Sequence, residues 1–214
     1  MFKVLATFLL LLTPQFAHAS NIPIGQFSKN DLSHWKEKVF DGKTRYAFVK
    51  NKQTKQRVLQ ATSNNTASGL FYKTRIDLEK TPYLNWSWNT SSILDGINEN
   101  TKTGDDFVAR IYVVVDGGVF FWKTIALNYV WSSSHQRGEK WSSPYTSNAT
   151  LYAIESGKEK LGTWQHYKRN VREDLKQLAG KDTRYIDAVA IMADTDNSGK
   201  SATTLFGDIF FTSE

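Results

Sequence analysis

The sequence predicts an all-β fold, a single jelly-roll-like β-sandwich with one short helix, and three observations predict it. Past residue 40 the chain breaks into short runs rich in Val, Ile, Tyr, Phe, Trp and Thr, several of which alternate with period two. Polar turns rich in Asn, Asp, Gly and Ser separate these runs, and one segment alone carries helical spacing. No internal repeat and no low-complexity linker interrupts the pattern, so residues 20–214 read as one domain.

The first residues read as an export signal. Lys3 supplies a short positive start, Val4 to Leu12 an apolar run, Pro14 a break, and Ala17-His18-Ala19 the small-x-small pattern that signal peptidase reads. The run is too short to cross a hydrocarbon core as a helix, which takes roughly 20 residues. The expectation is cleavage after Ala19 and a periplasmic or secreted domain beginning at Ser20, with no transmembrane segment left. The domain has no cysteine. Burial must therefore supply its stability, and thiol nucleophiles and thiolate metal sites are excluded. The formal net charge of +6 becomes +5 when Lys3 is removed, with basic residues scattered among acids. Such a charge reads as a solvated basic surface or as attraction to anionic polysaccharide or a membrane surface; an exported domain is not expected to meet nucleic acid.

Thr44–Lys50 and Gln56–Ala61 are β-prone runs joined by the turn Asn51-Lys52-Gln53-Thr54. Leu70–Asp77 alternates, and Leu84, Trp86 and Trp88 alternate with Asn85, Ser87 and Asn89, the mark of a half-buried strand. Residues 91–104 read as a loop. Phe107–Asp116 is the strongest strand signal, with Phe107, Ala109, Ile111 and Val113 on one face and Arg110 and Tyr112 on the other. Ile125–Ser132, Leu151–Ser156, Trp164–Val171, Ile186–Ala193 and Leu205–Thr212 follow as strands. Arg172–Ala179 reads as helix, with Leu175 and Leu178 a turn apart and Gly180 as the stop.

The clearest chemical motif is Asp194-Thr195-Asp196-Asn197-Ser198-Gly199. Acids at the first and third positions, oxygen-bearing residues next and a glycine at the sixth match the opening of a calcium loop, because a hard cation needs several oxygens on a sharply turning backbone. The twelfth position is Leu205 where such a loop places a bidentate Glu, so Asp208 or an acid from another loop would have to substitute. Asp194, Asp196 and Ser198 are the candidate ligands of a structural calcium ion. The competing reading is a plain Asp/Asn/Gly turn.

Arg110 and Tyr112 share the polar face of an otherwise apolar strand. Arg110 either pairs with Asp105 or Asp106 or reads a ligand, and the sequence reading favours the ligand, in which case removing it costs folding little. Aromatic residues are abundant, with seven Trp, nine Tyr and thirteen Phe, which serves a core and a sugar-stacking face equally. Trp86, Trp88, Tyr129 and Trp131 are therefore candidates for either role, and Asp105, Asp106 and His166 complete the candidate ligand-binding set. No serine elbow, His-Glu-x-x-His or phosphate loop is present.

Several ordered motifs together resemble one family. Thr66-Ala-Ser-Gly-Leu70, Pro82-Tyr-Leu-Asn-Trp-Ser-Trp88, Gly104-Asp-Asp-Phe-Val-Ala-Arg-Ile-Tyr112, Tyr129-Val-Trp131, Arg169-Asn-Val171 and Ala193-Asp-Thr-Asp-Asn-Ser-Gly199 look like the domain of unknown function 3047 family. More distantly, the Trp35…Tyr46…Leu59…Ala61…Ser68 order is similar to galactose-binding-like and carbohydrate-binding jelly rolls. The resemblance implies an exported bacterial domain and supplies no catalytic residue; sugar binding is fold-level analogy. Three readings stay open: a non-catalytic module for poly- or oligosaccharide, a jelly-roll lyase assembled from Arg110, Tyr112 and His166, and an envelope interaction domain whose aromatics are all core. The first is preferred.

Overall fold

The structure is a computed structural model and describes residues 21–119, 123–180 and 182–214. The export segment lies outside the described residues. Among the described residues fourteen strands run in chain order as β1 (Asn21–Gly25), β2 (Trp35–Asp41), β3 (Arg45–Lys50), β4 (Arg57–Asn64), β5 (Ala67–Asp77), β6 (Tyr83–Thr90), β7 (Arg110–Val115), β8 (Ile125–Ser132), β9 (Lys140–Ser142), β10 (Ala149–Ser156), β11 (Gln165–Asn170), β12 (Tyr185–Met192), β13 (Ser201–Phe206) and β14 (Ile209–Thr212), with α1 (Val171–Ala179) between β11 and β12. They form two seven-stranded sheets. The first has the order β1-β14-β6-β13-β4-β3, with β11 on the other side of β6; the second has the order β2-β5-β12-β7-β8-β10-β9. The described pairings are antiparallel except β8 with β10. The expected β-sandwich with one short helix is the fold observed.

Period-two spacing explains which face each strand buries. Leu84, Trp86 and Trp88 of β6 point inward at 0–3% exposure. They meet Tyr129 and Trp131 of β8 from the opposite sheet: Trp86 stacks on Tyr129 with centroids 5.2 Å apart, and Trp88 lies 6.4 Å from Trp131. Offset and tilted pairs of this kind add to the burial energy of the rings. The four aromatics offered above as a sugar face are thus the interior of the sandwich. Their register in two facing sheets leaves no ring surface for a ligand. The Tyr129 hydroxyl donates to Asp174 at 2.7 Å, and Arg169 pairs with the same carboxylate, which ties α1 to both sheets. The helix starts one residue earlier than the spacing predicted. Asn170 caps it by accepting from the Glu173 N–H at 3.1 Å, and Gly180 ends it at φ 63°.

Three further differences bear on the site. The strand expected from Phe107 begins only at Arg110. Residues 105–109 instead bind the loop after β12: Phe107 N–H donates to Asp194 Oδ1 at 3.4 Å, and Asp194 N–H donates to the Phe107 carbonyl at 3.1 Å. Alternation therefore holds for Ala109, Ile111 and Val113 but fails before them, and Phe107 packs in a satellite cluster with Val130 and Leu151. The run Leu205–Thr212 is two strands rather than one, β13 and β14, which cover successive halves of β6 with Gly207-Asp208 between them. Strand β2, unpredicted, is an edge strand exposed throughout except at Trp35, so it carries no burial pattern to read.

Candidate functional site: an acidic cavity and a basic groove

One end of the second sheet gathers most of the predicted site residues. The C-terminal ends of β2 and β12 and the N-terminal ends of β5 and β7 meet there, because these neighbours are antiparallel. They enclose a cavity of about 310 Å³ whose wall includes Asp105, Arg110, Tyr112, Asp194 and Asp196. Phe40 and Tyr145 stand at its mouth, each 54% exposed.

Arg110 forms the floor. Its side chain is 7% exposed, and Nη2 donates to Asp194 Oδ2 at 2.7 Å and to the Asp105 carbonyl. Nη1 donates to the Tyr112 hydroxyl at 3.0 Å, and the guanidinium lies 4.2 Å from the Phe107 ring centroid. Burial alone would lower the Arg110 pKa, but Asp194, Tyr112 and Asp105 more than reverse that and hold it above its ordinary value. Burial raises the Asp194 carboxyl well above the carboxylate range, with Arg110 opposing and Asp106, Asp105 and Asp196 adding to the rise. Burial likewise pushes the Tyr112 phenol up to about 12. Arg110 is thus an ion-pair partner sealed in the fold, where the sequence reading had favoured a ligand reader in an open groove.

The Asp194 loop turns as its residue types require, with Gly199 at φ 66°. Asp106 accepts from the backbone N–H of Asn197 at 3.2 Å and of Ser198 at 2.6 Å, and so clamps the loop. Asp106, Asp194 and Asp196 each offer an oxygen, all within 4.8 Å of one another. The acid that joins the loop is therefore Asp106; Asp208 lies elsewhere, accepting from the backbone and hydroxyl of Ser28. No local spacing could have indicated Asp106, because its proximity is made by tertiary pairing. Among buried atoms left without a hydrogen-bond partner in the described residues are Asp105 Oδ1, Asp196 Oδ1 and Ser198 Oγ. The donor set is all oxygen, which suits a hard divalent cation.

His166 is not part of this cavity. It lies exposed on β11 of the first sheet, opposite Ser87, while Arg110 and Tyr112 belong to β7 of the second. The trio expected of a lyase is therefore not assembled. Around His166 three confluent cavities of about 190, 280 and 360 Å³ run along the outer face of β14, β6 and β11 and past the β11 edge. Outer-face residues follow from register: Lys168 and Phe210 both pair with Asn85, so all three project to the same side. Trp164 lines one end, and Gly207 beside it makes room for Ser87, since a Cβ there would meet Ser87 Oγ at 2.2 Å. Trp164 and Phe210 lie outside the residues expected to bind a ligand, although their even-numbered phase relative to inward Tyr167 and Phe211 marks them as outward-facing.

No helix among the described residues is long and apolar enough to cross a membrane. No curated protein matches the chain. Among solved structures it is similar to the family 11 carbohydrate-binding module of a cellulosomal cellulase from Clostridium thermocellum, with 10% identity, TM-score 0.48, and 91% of this chain covering 95% of that one. It is also similar to a family 29 carbohydrate-binding module from Piromyces equi, with 11% identity, TM-score 0.46 and coverages of 92% and 93%. A third is the xyloglucanase domain of a type three effector from Sinorhizobium fredii, with 10% identity, TM-score 0.43 and coverages of 84% and 93%. The family model described as protein of unknown function (DUF3047) matches residues 33–210, and the chain belongs to that family.

Proposed function

We propose that this protein is an exported, non-catalytic glycan-binding sandwich, and that the sugar lies in the groove on the outer face of the first sheet. One observation carries the reading. Of the described tryptophans, Trp35, Trp86, Trp88 and Trp131 are buried and Trp141 is stacked by His135 at 3.8 Å, which leaves Trp164 half-buried beside open groove space. An aromatic ring in a cleft bordered by hydroxyl and amide groups such as Ser87 and Asn85 suits a pyranose, whose apolar face stacks while its hydroxyls bond. A glycan array probed with the mature domain tests this, with Trp164→Ala as control. The wild type should retain at least one glycan class and the variant should lose it by about tenfold or more without losing its fold. A variant that binds like wild type would place the sugar elsewhere, and a domain that binds no glycan would end the reading.

Two companion proposals support it. Calcium held by Asp106, Asp194 and Asp196 would brace the β12–β13 loop against residues 105–109, the strut that closes this end of the second sheet. Export would place the domain where polysaccharide is met. Mass spectrometry of the periplasmic fraction should find an amino terminus at Ser20; an intact Met1 form in the inner membrane would refute it.

A further inference from the structure

We infer that the groove around His166 selects an acidic polysaccharide, a pyranose chain carrying regularly spaced anionic groups. The inference rests on the glycan-binding reading above and names the substrate class of that site. The three cavities overlap in a definite order. The smallest and the middle one share Ser87, His166, Asp208 and Phe210, and the middle one and the largest share His166, Tyr167 and Lys168. Arg57 therefore lies at one end, Lys168 along the middle and Arg137 at the other end, a spacing suited to a chain rather than to a single sugar.

These three cations are exposed, and among the described residues none has a carboxylate partner within ion-pair distance. Their neighbours differ. Arg169 is committed to Asp174, Lys160 to Glu155, and Arg184 to Asp77. Asp208, the acid that lines the groove, is already held by Ser28 at 2.7 and 2.5 Å. The Lys168 ammonium sits over the Tyr83 ring, its Nζ 4.7 Å from the centroid, a contact that positions the charge on this exposed residue. A row of unpaired cations beside a stacking ring provides both terms such a ligand needs: Trp164 and Phe210 for the sugar faces, and Arg57, Lys168 and Arg137 for the anionic groups. The acidic cavity at the end of the second sheet is the opposite case. Four carboxylates line it against the single guanidinium of Arg110, so it repels such a chain.

Sodium polygalacturonate and its fully methyl-esterified form share one backbone and differ in charge, so calorimetric titration of the mature domain with both isolates the charge contribution. The polyanion should bind at least about tenfold more tightly, and the difference should collapse in 0.5 M salt as the Debye length shortens. Arg57→Ala with Lys168→Ala should weaken polygalacturonate by roughly tenfold and leave the ester unchanged, whereas Trp164→Ala should weaken both. Dextran sulfate in a third arm distinguishes sulfate from carboxylate as the anionic group. Equal affinity for polyanion and ester would overturn the acidic class while leaving a glycan-binding domain. Retention by phosphatidylglycerol vesicles equal to that by polygalacturonate would overturn it in favour of general polyanion adsorption. Binding of no polysaccharide in any arm would remove the glycan reading with it.

Discussion

Arg110→Met tests the structure most directly. The arginine side chain is 7% exposed and its partner Asp194 4%, with 2.7 Å between the charged atoms, so the pair is desolvated on both sides. Methionine keeps much of the stem volume but loses the guanidinium over Phe107 and leaves Asp194 buried among Asp105, Asp106 and Asp196 with no cation. Breaking one partner of a buried pair costs about 3–5 kcal/mol, because the remaining carboxyl, already disfavoured as an anion by burial, must either keep its desolvation penalty or take up a proton. At roughly 2–4 °C per kcal/mol for a domain of this size, the melting temperature should fall by about 6–20 °C. Asp194→Asn leaves the guanidinium only its longer 3.5 Å pair with Asp105 and should also destabilise. The double variant Arg110→Met/Asp194→Asn removes both charges of the short pair, leaves only the longer Asp105 contact unmet, and should recover much of the loss, since neutral replacement of a whole buried pair is often nearly free. Urea and thermal unfolding followed by circular dichroism, in chelator so that no metal contributes, measures all four proteins. An Arg110→Met protein within about 1 kcal/mol of wild type, or a double variant no better than the single, would refute the ion-pair assignment.

Calcium at millimolar concentration should raise the melting temperature of metal-free protein by several degrees, since a hundredfold excess over Kd contributes about 2.7 kcal/mol; Asp106→Asn/Asp196→Asn should abolish the rise, and an unchanged wild-type midpoint would reject the site. Glu99 gives a pH test of known sign. Burial raises its pKa above the ordinary 4.5, with Ser132 and Ser133 as hydrogen-bonding donors that only partly oppose the rise. A carboxyl raised on folding favours the native state at low pH and loses that contribution as pH climbs from the ordinary value through the raised one. Glu99→Gln should therefore be the more stable protein at pH 7, by an amount on the order of 1 kcal/mol, with the advantage fading toward pH 4. An advantage that grows on acidification would reverse the argument.

Much of the fold was legible in the residues themselves. Period-two alternation marked β5, β6 and the inward Tyr129 and Trp131 of β8, because side chains on one face of a strand recur at every second residue. The Leu175–Leu178 spacing and Gly180 marked the helix and its end, whereas the Asn170 cap at its start showed only in the structure. What stayed illegible depended on partners distant in sequence. Trp86 and Trp88 carry the composition of a sugar platform and the register of a core, and only the sheet facing them on the other side, bringing Tyr129 and Trp131, decides between the two. Arg110 looks alike on a groove and in an ion pair until residues 105–109 fold back onto the Asp194 loop. The Asp194 motif lacked its last acid by local count; Asp106 arrives from another strand's entrance. His166 was separated from Arg110 and Tyr112 because its strand pairs with β6 rather than with β7. The sequence by itself therefore determined most of the interior strands, the helix and the turn chemistry, which rest on local geometry and side-chain periodicity. The tertiary structure alone decided which aromatics are core, which charges are paired and which face is left open, because burial and ion pairing are properties of what lies opposite.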